Sequence, residues 1–78
     1  MTTKEIRAKL KKLPASEQAR LIDEWITGRL ARRNRKIIKS YLIDGEGSIE
    51  KIAEKYELSY EQTKRIIKRS CDALSRHL

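Results

Sequence analysis

The sequence predicts an all-α fold: a small bundle of four to five helices with a helix-turn-helix at its C-terminal end. Apolar residues recur at helical spacing along the chain, and strict apolar–polar alternation is absent, so no strand is expected. Three Gly, one Pro and no Phe in 78 residues are typical of a compact helical chain. A chain of this length has room for one small core, so residues 1–78 are expected to form a single domain.

The first predicted helix covers about Thr3 to Lys12. Thr2 can accept a backbone hydrogen bond, and Glu5 lies three residues further on, which is the spacing of a capping box. The helix has a thin apolar face, formed by Ile6, Leu10 and Leu13. Pro14 ends it, because the residue before a proline avoids helical torsions.

The second predicted helix covers about Ala15 to Thr27, and its buried face is formed by Leu21, Ile22, Trp25 and Ile26. We expect Trp25 in the core, with a dimer contact as the alternative. Gly28 favours a break or kink, since a glycine inside one continuous helix costs about 1 kcal/mol relative to alanine. Residues 1–28 then form an N-terminal extension, whose two helices are the expected contact of a homodimer.

The third predicted helix covers about Arg29 to Ile43. One arc of it is apolar and contains Leu30, Ile37, Ile38, Tyr41 and Leu42. The opposite arc is cationic and contains Arg29, Arg32, Arg33, Lys36 and Lys39. A solvated helix face is the simpler explanation of these charges, and a flank that contacts DNA phosphates is the alternative. The residues from Asp44 to Gly47 supply the torsions of a turn.

Two helices joined by a tight turn follow. The shorter is capped by Ser48 and ends near Tyr56, with apolar residues at Ile49, Ile52, Ala53 and Tyr56. The longer begins at Ser59, which forms a second capping box with Gln62, and continues to about Arg76. Its apolar stripe is formed by Thr63, Ile66, Ile67, Ser70, Cys71 and Leu74. The two helices of a helix-turn-helix cross closely, so a small residue is required at Ala53.

The longer helix carries a cationic face opposite its apolar stripe. A helix about 10–12 Å wide fits the major groove, which is about 12 Å wide. The formal net charge of +8 favours a polyanionic partner, most commonly nucleic acid. The N-terminal part of such a helix lies deepest in the groove, so we expect base contacts from Tyr60, Glu61, Gln62, Lys64 and Arg65. We expect phosphate contacts from Lys68 and Arg69.

From Arg35 onward the chain resembles the helix-turn-helix of sigma-70 region 4, especially the small stand-alone phage and mobile-element proteins similar to it. The resemblance rests on an Ile-rich helix, a Gly-Glu turn, Ile52-Ala53-Glu54, Leu58-Ser59, Thr63, Ile66 and Leu74. It defines residues 29–78 as the region-4-like part and matches the N-terminal third loosely, through Leu13-Pro14. It implies a transcriptional regulator of double-stranded DNA. The residues that would face a promoter −35 element are Tyr60, Glu61, Lys64 and Arg65, with Gln62 beside them.

Two departures from the family qualify this expectation. The family usually has Gly in the turn where this chain has Glu57. A non-glycine residue with positive φ is strained, so a looser or differently closed turn is expected. The helices that bind the −10 element and melt DNA in a full sigma factor have no counterpart here. We therefore expect a separate region-4-like subunit or an independent regulator.

Other functional classes find little support in the residues. No Gly-rich phosphate loop, nucleophile elbow or paired-carboxylate site occurs, so no enzyme is expected. Zinc requires about four ligands, whereas the chain has one Cys and one His, so neither a metal nor a cofactor is expected. Cys71 is expected to pack as a small hydrophobe, and His77 lies alone near the C-terminus.

Location and partners follow from composition. No apolar run approaches the ~18 residues of a membrane span, and the N-terminus lacks the apolar core of a secretory signal. A cytoplasmic protein is therefore expected. The main alternative to DNA binding is a protein-interaction adaptor that docks on RNA polymerase or another transcription protein. RNA binding is a weaker alternative, because exposed aromatic residues for base stacking are lacking.

Overall fold

A computed structural model describes residues 2–45 and 48–78 of the chain. These two ranges contain five α-helices and no strand: α1 Thr3–Lys11, α2 Ala15–Trp25, α3 Ala31–Leu42, α4 Ile49–Lys55 and α5 Tyr60–Ser75. The prediction of an all-α bundle is therefore confirmed. The predicted turn from Asp44 to Gly47 includes Glu46 and Gly47, which lie outside the described residues.

The start of α1 is fixed by the predicted capping box. The Glu5 backbone N–H donates to Thr2 Oγ1 at 3.2 Å, and the Thr2 backbone N–H donates to Glu5 Oε1 at 3.5 Å. Side-chain caps of this kind satisfy backbone groups that the first helical turn leaves without partners. α2 begins at Ala15 after Pro14, and Gln18 Nε2 donates to the Leu13 carbonyl at 2.8 Å across that junction.

The connection between α2 and α3 contains the predicted break. α2 ends at Trp25, before the predicted Thr27, because Ile26 is already extended with φ −92° and ψ 98°. Gly28 has a φ of +107°, a torsion that L residues rarely adopt. Helical geometry resumes only at Ala31 rather than at Arg29, so the two helices are separate.

Two predictions about the core are wrong, and both concern residues beside this break. Trp25 was expected to be buried but is 38% exposed, and Leu30, expected on the apolar arc of the third helix, is 52% exposed. Leu30 precedes the helix and lies off its buried face, where Ala31 packs instead at 9% exposure. The Trp25 ring stacks on His77, with the ring centroids 3.4 Å apart and the planes inclined by 12°. The C-terminal His77 is therefore not isolated.

One cluster of buried side chains joins the five helices. It contains residues from every helix and from the α2–α3 connection: Ile6, Leu10, Ile22, Ile26, Ile37, Ile38, Leu42, Ile52, Ile67, Cys71 and Leu74. Burying one such aliphatic side chain contributes about 1.5–3 kcal/mol to the free energy of folding. α5 packs against each of the other four helices, so its orientation is set by the whole core.

Arg7 connects α1 to α3. Its Nη2 donates to the Tyr41 backbone carbonyl at 2.8 Å, and the guanidinium carbon lies 5.0 Å from the centroid of the Tyr41 ring. This combines a charged hydrogen bond with a cation–π contact. Within the described ranges, no helix has both the length and the apolar character that crossing a bilayer requires.

Candidate nucleic-acid interface

α5 divides its side chains between a buried and an exposed face. The predicted apolar stripe is buried or half-buried along its length, with Thr63 and Leu74 at 0% exposure. All seven side chains predicted to contact DNA are exposed: Tyr60, Glu61, Gln62, Lys64, Arg65, Lys68 and Arg69. The predicted orientation of this helix is therefore confirmed.

The N-terminus of α5 is held by the second predicted capping box. The Gln62 backbone N–H donates to Ser59 Oγ at 3.1 Å, and the Ser59 backbone N–H donates to Gln62 Oε1 at 3.2 Å. Thr63 Oγ1 also donates to the Ser59 carbonyl at 3.0 Å. Because Gln62 Oε1 is engaged in the cap, contact with adenine through both amide atoms of Gln62 requires the cap to open.

The turn before α5 is closed despite its non-glycine residue. Glu57 has a φ of +55°, in the left-handed region that favours glycine. The Glu57 N–H donates to the Glu54 carbonyl at 3.2 Å, and the Leu58 N–H donates to the Ala53 carbonyl at 2.9 Å. This pair of hydrogen bonds is a complete Schellman motif, so the turn is strained but not looser.

Close packing behind the turn fixes α4 against its neighbours. Ala53 is 5% exposed at the middle of α4, as the predicted close crossing requires. The hydroxyl groups of Tyr56 and Ser40 lie 3.3 Å apart, which links the end of α4 to α3. Ser40 is buried at 4% exposure, so this bond satisfies a polar group inside the fold.

Four cations of α5 form two rows along its exposed face. Residues four apart lie on the same side of a helix, so Lys64 and Lys68 form one row and Arg65 and Arg69 the other. The lysines line a groove with Tyr41 and Asp72. Within the described parts of the chain, none of the four cations has a hydrogen bond or an ion pair. Their charges are therefore directed to solvent or to a partner.

The cations of α3 differ from one another in their surroundings. Lys39 Nζ lies 2.8 Å from Asp23 Oδ1, and Arg35 donates from Nε to the Ile26 carbonyl at 2.8 Å. Arg29, Arg32 and Lys36 are exposed, whereas Arg33 is half-buried. Arg29 precedes α3, so the predicted cationic arc begins in the α2–α3 connection and extends over the N-terminal part of the helix. Near the C-terminal end of α3, Lys39 is paired with a carboxylate.

A cleft that sequence analysis did not predict lies between the α2–α3 connection and α5. Its volume is about 350 Å³, and its lining includes the apolar side chains Trp25, Leu30 and Ile66. Arg33, Arg65 and Arg69 also line it. The cleft lies beside the Gly28 break, where Leu30 precedes α3 instead of lying on its apolar arc. The sequence signal for the position of Leu30 was the glycine.

Cys71 and the potential metal ligands show no arrangement that suggests chemistry. Cys71 is 6% exposed, and burial raises the pKa of its thiol above the ordinary value of 9.0. A protonated, buried thiol packs as a small hydrophobe and is a poor nucleophile. In the described residues, His, Cys, Asp and Glu side chains nowhere gather in a group of three or more that could hold a metal ion.

The comparisons with known proteins found no match that bears on the function of this site. The chain matches no protein-family model, no curated protein and no solved structure. The resemblance to sigma-70 region 4 therefore stays a prediction from the residues, and the geometry and charge of α5 are the basis for a functional proposal.

Proposed function

We propose that the protein is a sequence-specific transcriptional regulator that inserts α5 into the major groove of double-stranded DNA. The observation that carries this proposal is the contrast between the two faces of α5. One face is packed against four helices, and the other presents four cations without partners among the described residues. A rigid helix with a charged outer face fits a groove of about 12 Å.

Different parts of α5 would perform different tasks. The first two turns present Tyr60, Glu61, Lys64 and Arg65, which we assign to base edges, with Gln62 contributing its Nε2. An arginine can donate two hydrogen bonds to guanine O6 and N7. Lys68 and Arg69 lie further along and are assigned to phosphates, which position the helix without specifying sequence. The exposed residues Arg32 and Lys36 of α3, with Arg29 just before that helix, would add to the positive potential.

The proposal is tested by selecting binding sites from a random duplex pool with the intact protein and with Arg65→Ala, Lys68→Ala and Lys11→Ala. Arg65→Ala should relax the preference at one position and cost about 1–3 kcal/mol at the selected site. Lys68→Ala should weaken binding to all sequences about equally. Lys11→Ala is the control, because it removes the same charge from an exposed position on α1.

Unchanged binding in Arg65→Ala and Lys68→Ala would reject α5 as the interface. An equal loss in all three variants would show that only total charge matters, which contradicts sequence-specific recognition.

A second candidate function is an adaptor that docks on RNA polymerase or another transcription protein. It is favoured by the exposure of Trp25 and Leu30, two large apolar side chains that are 38% and 52% exposed. Retention of polymerase by the immobilised protein at high salt, combined with no measurable duplex affinity, would favour the adaptor over the DNA-binding regulator.

A further inference from the structure

We propose that the cleft between the α2–α3 connection and α5 binds an acidic, amphipathic segment of a partner protein. The segment would place apolar side chains on Trp25, Leu30 and Ile66 and carboxylates against Arg33, Arg65 and Arg69. We further infer that this segment and duplex DNA exclude one another, a consequence that rests on the proposed function of α5.

The apolar lining of the cleft is the first reason for a protein partner. Within residues 2–45 and 48–78, three large hydrophobic side chains are exposed, and two of them, Trp25 and Leu30, line this one cleft. Grouped apolar exposure of this kind marks an interaction site. The volume of about 350 Å³ is at the small end for a binding pocket and suits one or two inserted side chains.

The charge around the cleft indicates an acidic partner. None of the described residues that line it is acidic, whereas three arginines do so. Arg65 and Arg69 have no hydrogen bond or ion pair with the described residues, and Arg33 donates through Nε to Asn34 Oδ1 at 3.3 Å. Guanidinium groups bind carboxylates through paired hydrogen bonds, which makes arginine suited to acidic peptides.

The apolar lining and the arginines together favour a peptide over DNA as the occupant of the cleft. Phosphates could neutralise Arg65 and Arg69, but they offer nothing to the indole of Trp25 or the side chain of Leu30. An amphipathic segment satisfies both, as in recognition modes where a helix places apolar anchors in a groove. Aromatic and arginine side chains are also the residue types that contribute most to protein interfaces.

Mutual exclusion follows from two shared residues. Arg65 and Arg69 line the cleft and also lie on the face of α5 assigned to DNA. A guanidinium group that pairs with a carboxylate is neutralised and held in the cleft, so it is no longer directed at a guanine or a phosphate. The partner's carboxylates would also repel the DNA backbone. Binding of the segment would therefore release the protein from DNA.

Trp25 provides a direct measurement because it is the single tryptophan of the chain. The probe is a synthetic peptide without tryptophan that has Leu and Phe on one helical face and Glu along the edges of that face. A peptide of the same composition in scrambled order is the control. We expect saturable quenching or a shift of Trp25 emission with the amphipathic peptide and a much weaker response with the scrambled one.

Exposed positions supply the matched variants. Leu30→Gln removes an apolar contact and should weaken peptide binding about tenfold. Arg69→Ala should weaken it about threefold, whereas Lys68→Ala should leave it unchanged, since Lys68 lies on the other row and does not line this cleft. Both Arg69→Ala and Lys68→Ala should weaken duplex binding. Because only Arg69→Ala should also weaken peptide binding, the two variants distinguish the cleft from the DNA-binding face.

Several results would overturn the inference. No saturable change in Trp25 emission, or equal affinity for Leu30→Gln and the intact protein, would reject the peptide site. A concentration-dependent dimer that Leu30→Gln dissociates would assign the cleft to a second copy of the chain. Simultaneous binding of peptide and labelled duplex would reject mutual exclusion. Peptide binding without any duplex binding would reject the proposed function and leave the peptide site supported.

Discussion

Arg35 donates a hydrogen bond from Nε to the backbone carbonyl of Ile26 at 2.8 Å. Ile26 is in extended conformation directly after α2, so its carbonyl is outside the helical hydrogen-bond pattern. The bond spans the Gly28 break and holds α2 and α3 together on either side of it. A charged donor that satisfies a partly buried carbonyl contributes more than an ordinary surface contact.

We therefore predict that Arg35→Ala lowers the free energy of unfolding by about 1–3 kcal/mol, because the Ile26 carbonyl loses its donor. The measurement is urea denaturation followed by circular dichroism. Arg32→Ala is the matched control on the same helix, since Arg32 is exposed, and should change stability by less than about 0.5 kcal/mol. Equal effects in the two variants would show that the Arg35 bond does not stabilise the fold.

Gly28 gives a prediction about backbone torsion alone. A Cβ at this position would meet nothing within 4 Å, so the cost of Gly28→Ala comes from its φ of +107°. We expect a loss of about 1–3 kcal/mol in the free energy of unfolding. Gly45→Ala is the control, because Gly45 also has open space but a φ of +64°, in the left-handed region where the strain on an L residue is smaller than at +107°. A larger loss at Gly45 than at Gly28 would contradict this explanation.

Replacing Glu57 by glycine should stabilise the fold, whereas replacing Gly28 by alanine should destabilise it. A left-handed torsion costs an L residue about 1–2 kcal/mol, whereas glycine loses about 0.5–1 kcal/mol of additional chain entropy on folding. Glu57→Gly should thus stabilise the protein by about 0.5–1 kcal/mol and raise Tm by several degrees. Glu54→Gly, an exposed position inside α4, should destabilise by about 1 kcal/mol. A lower Tm for Glu57→Gly would show that the turn is not strained.

Cys71 predicts a pH dependence of stability. Burial raises the pKa of its thiol in the folded state above 9.0, so the unfolded chain ionises at lower pH than the folded one. The stability that the neutral, buried thiol contributes is therefore fully present below the pKa of Cys71 in the unfolded chain. It is lost as the pH rises from that value toward the higher pKa of Cys71 in the folded protein. Unfolding under reducing conditions between about pH 7 and pH 10 should show a steeper decline for the intact protein than for Cys71→Ser. Parallel curves would contradict the effect of burial.

The features that could be predicted from the sequence are those whose partners lie within a few residues. The capping boxes of Thr2 with Glu5 and of Ser59 with Gln62 depend on local spacing and hydrogen-bonding groups alone. The break at Gly28 is local in the same sense. The exposed face of α5 was also predictable, because helical periodicity determines which side chains share its buried stripe.

The features that could not be predicted depend on contacts between distant residues. Trp25 resembles a core residue by spacing, but it lies at the end of α2 and meets His77 at the end of the chain. The partners of Arg35 and Lys39 are on or beside α2, and periodicity does not distinguish these cations from exposed ones such as Arg32. The cleft beside α5 therefore emerged only from the packed structure.

The most direct test of the central claim, that the exposed face of α5 binds DNA, is the dependence of duplex affinity on salt concentration. Each phosphate contact contributes about 0.9 to the slope of log K against log salt. We predict a steep slope for the intact protein, a slope reduced by about 1 for Lys68→Ala and an unchanged slope for Lys11→Ala. A Lys68→Ala slope equal to that of the intact protein, or no duplex binding at low salt, would contradict the claim.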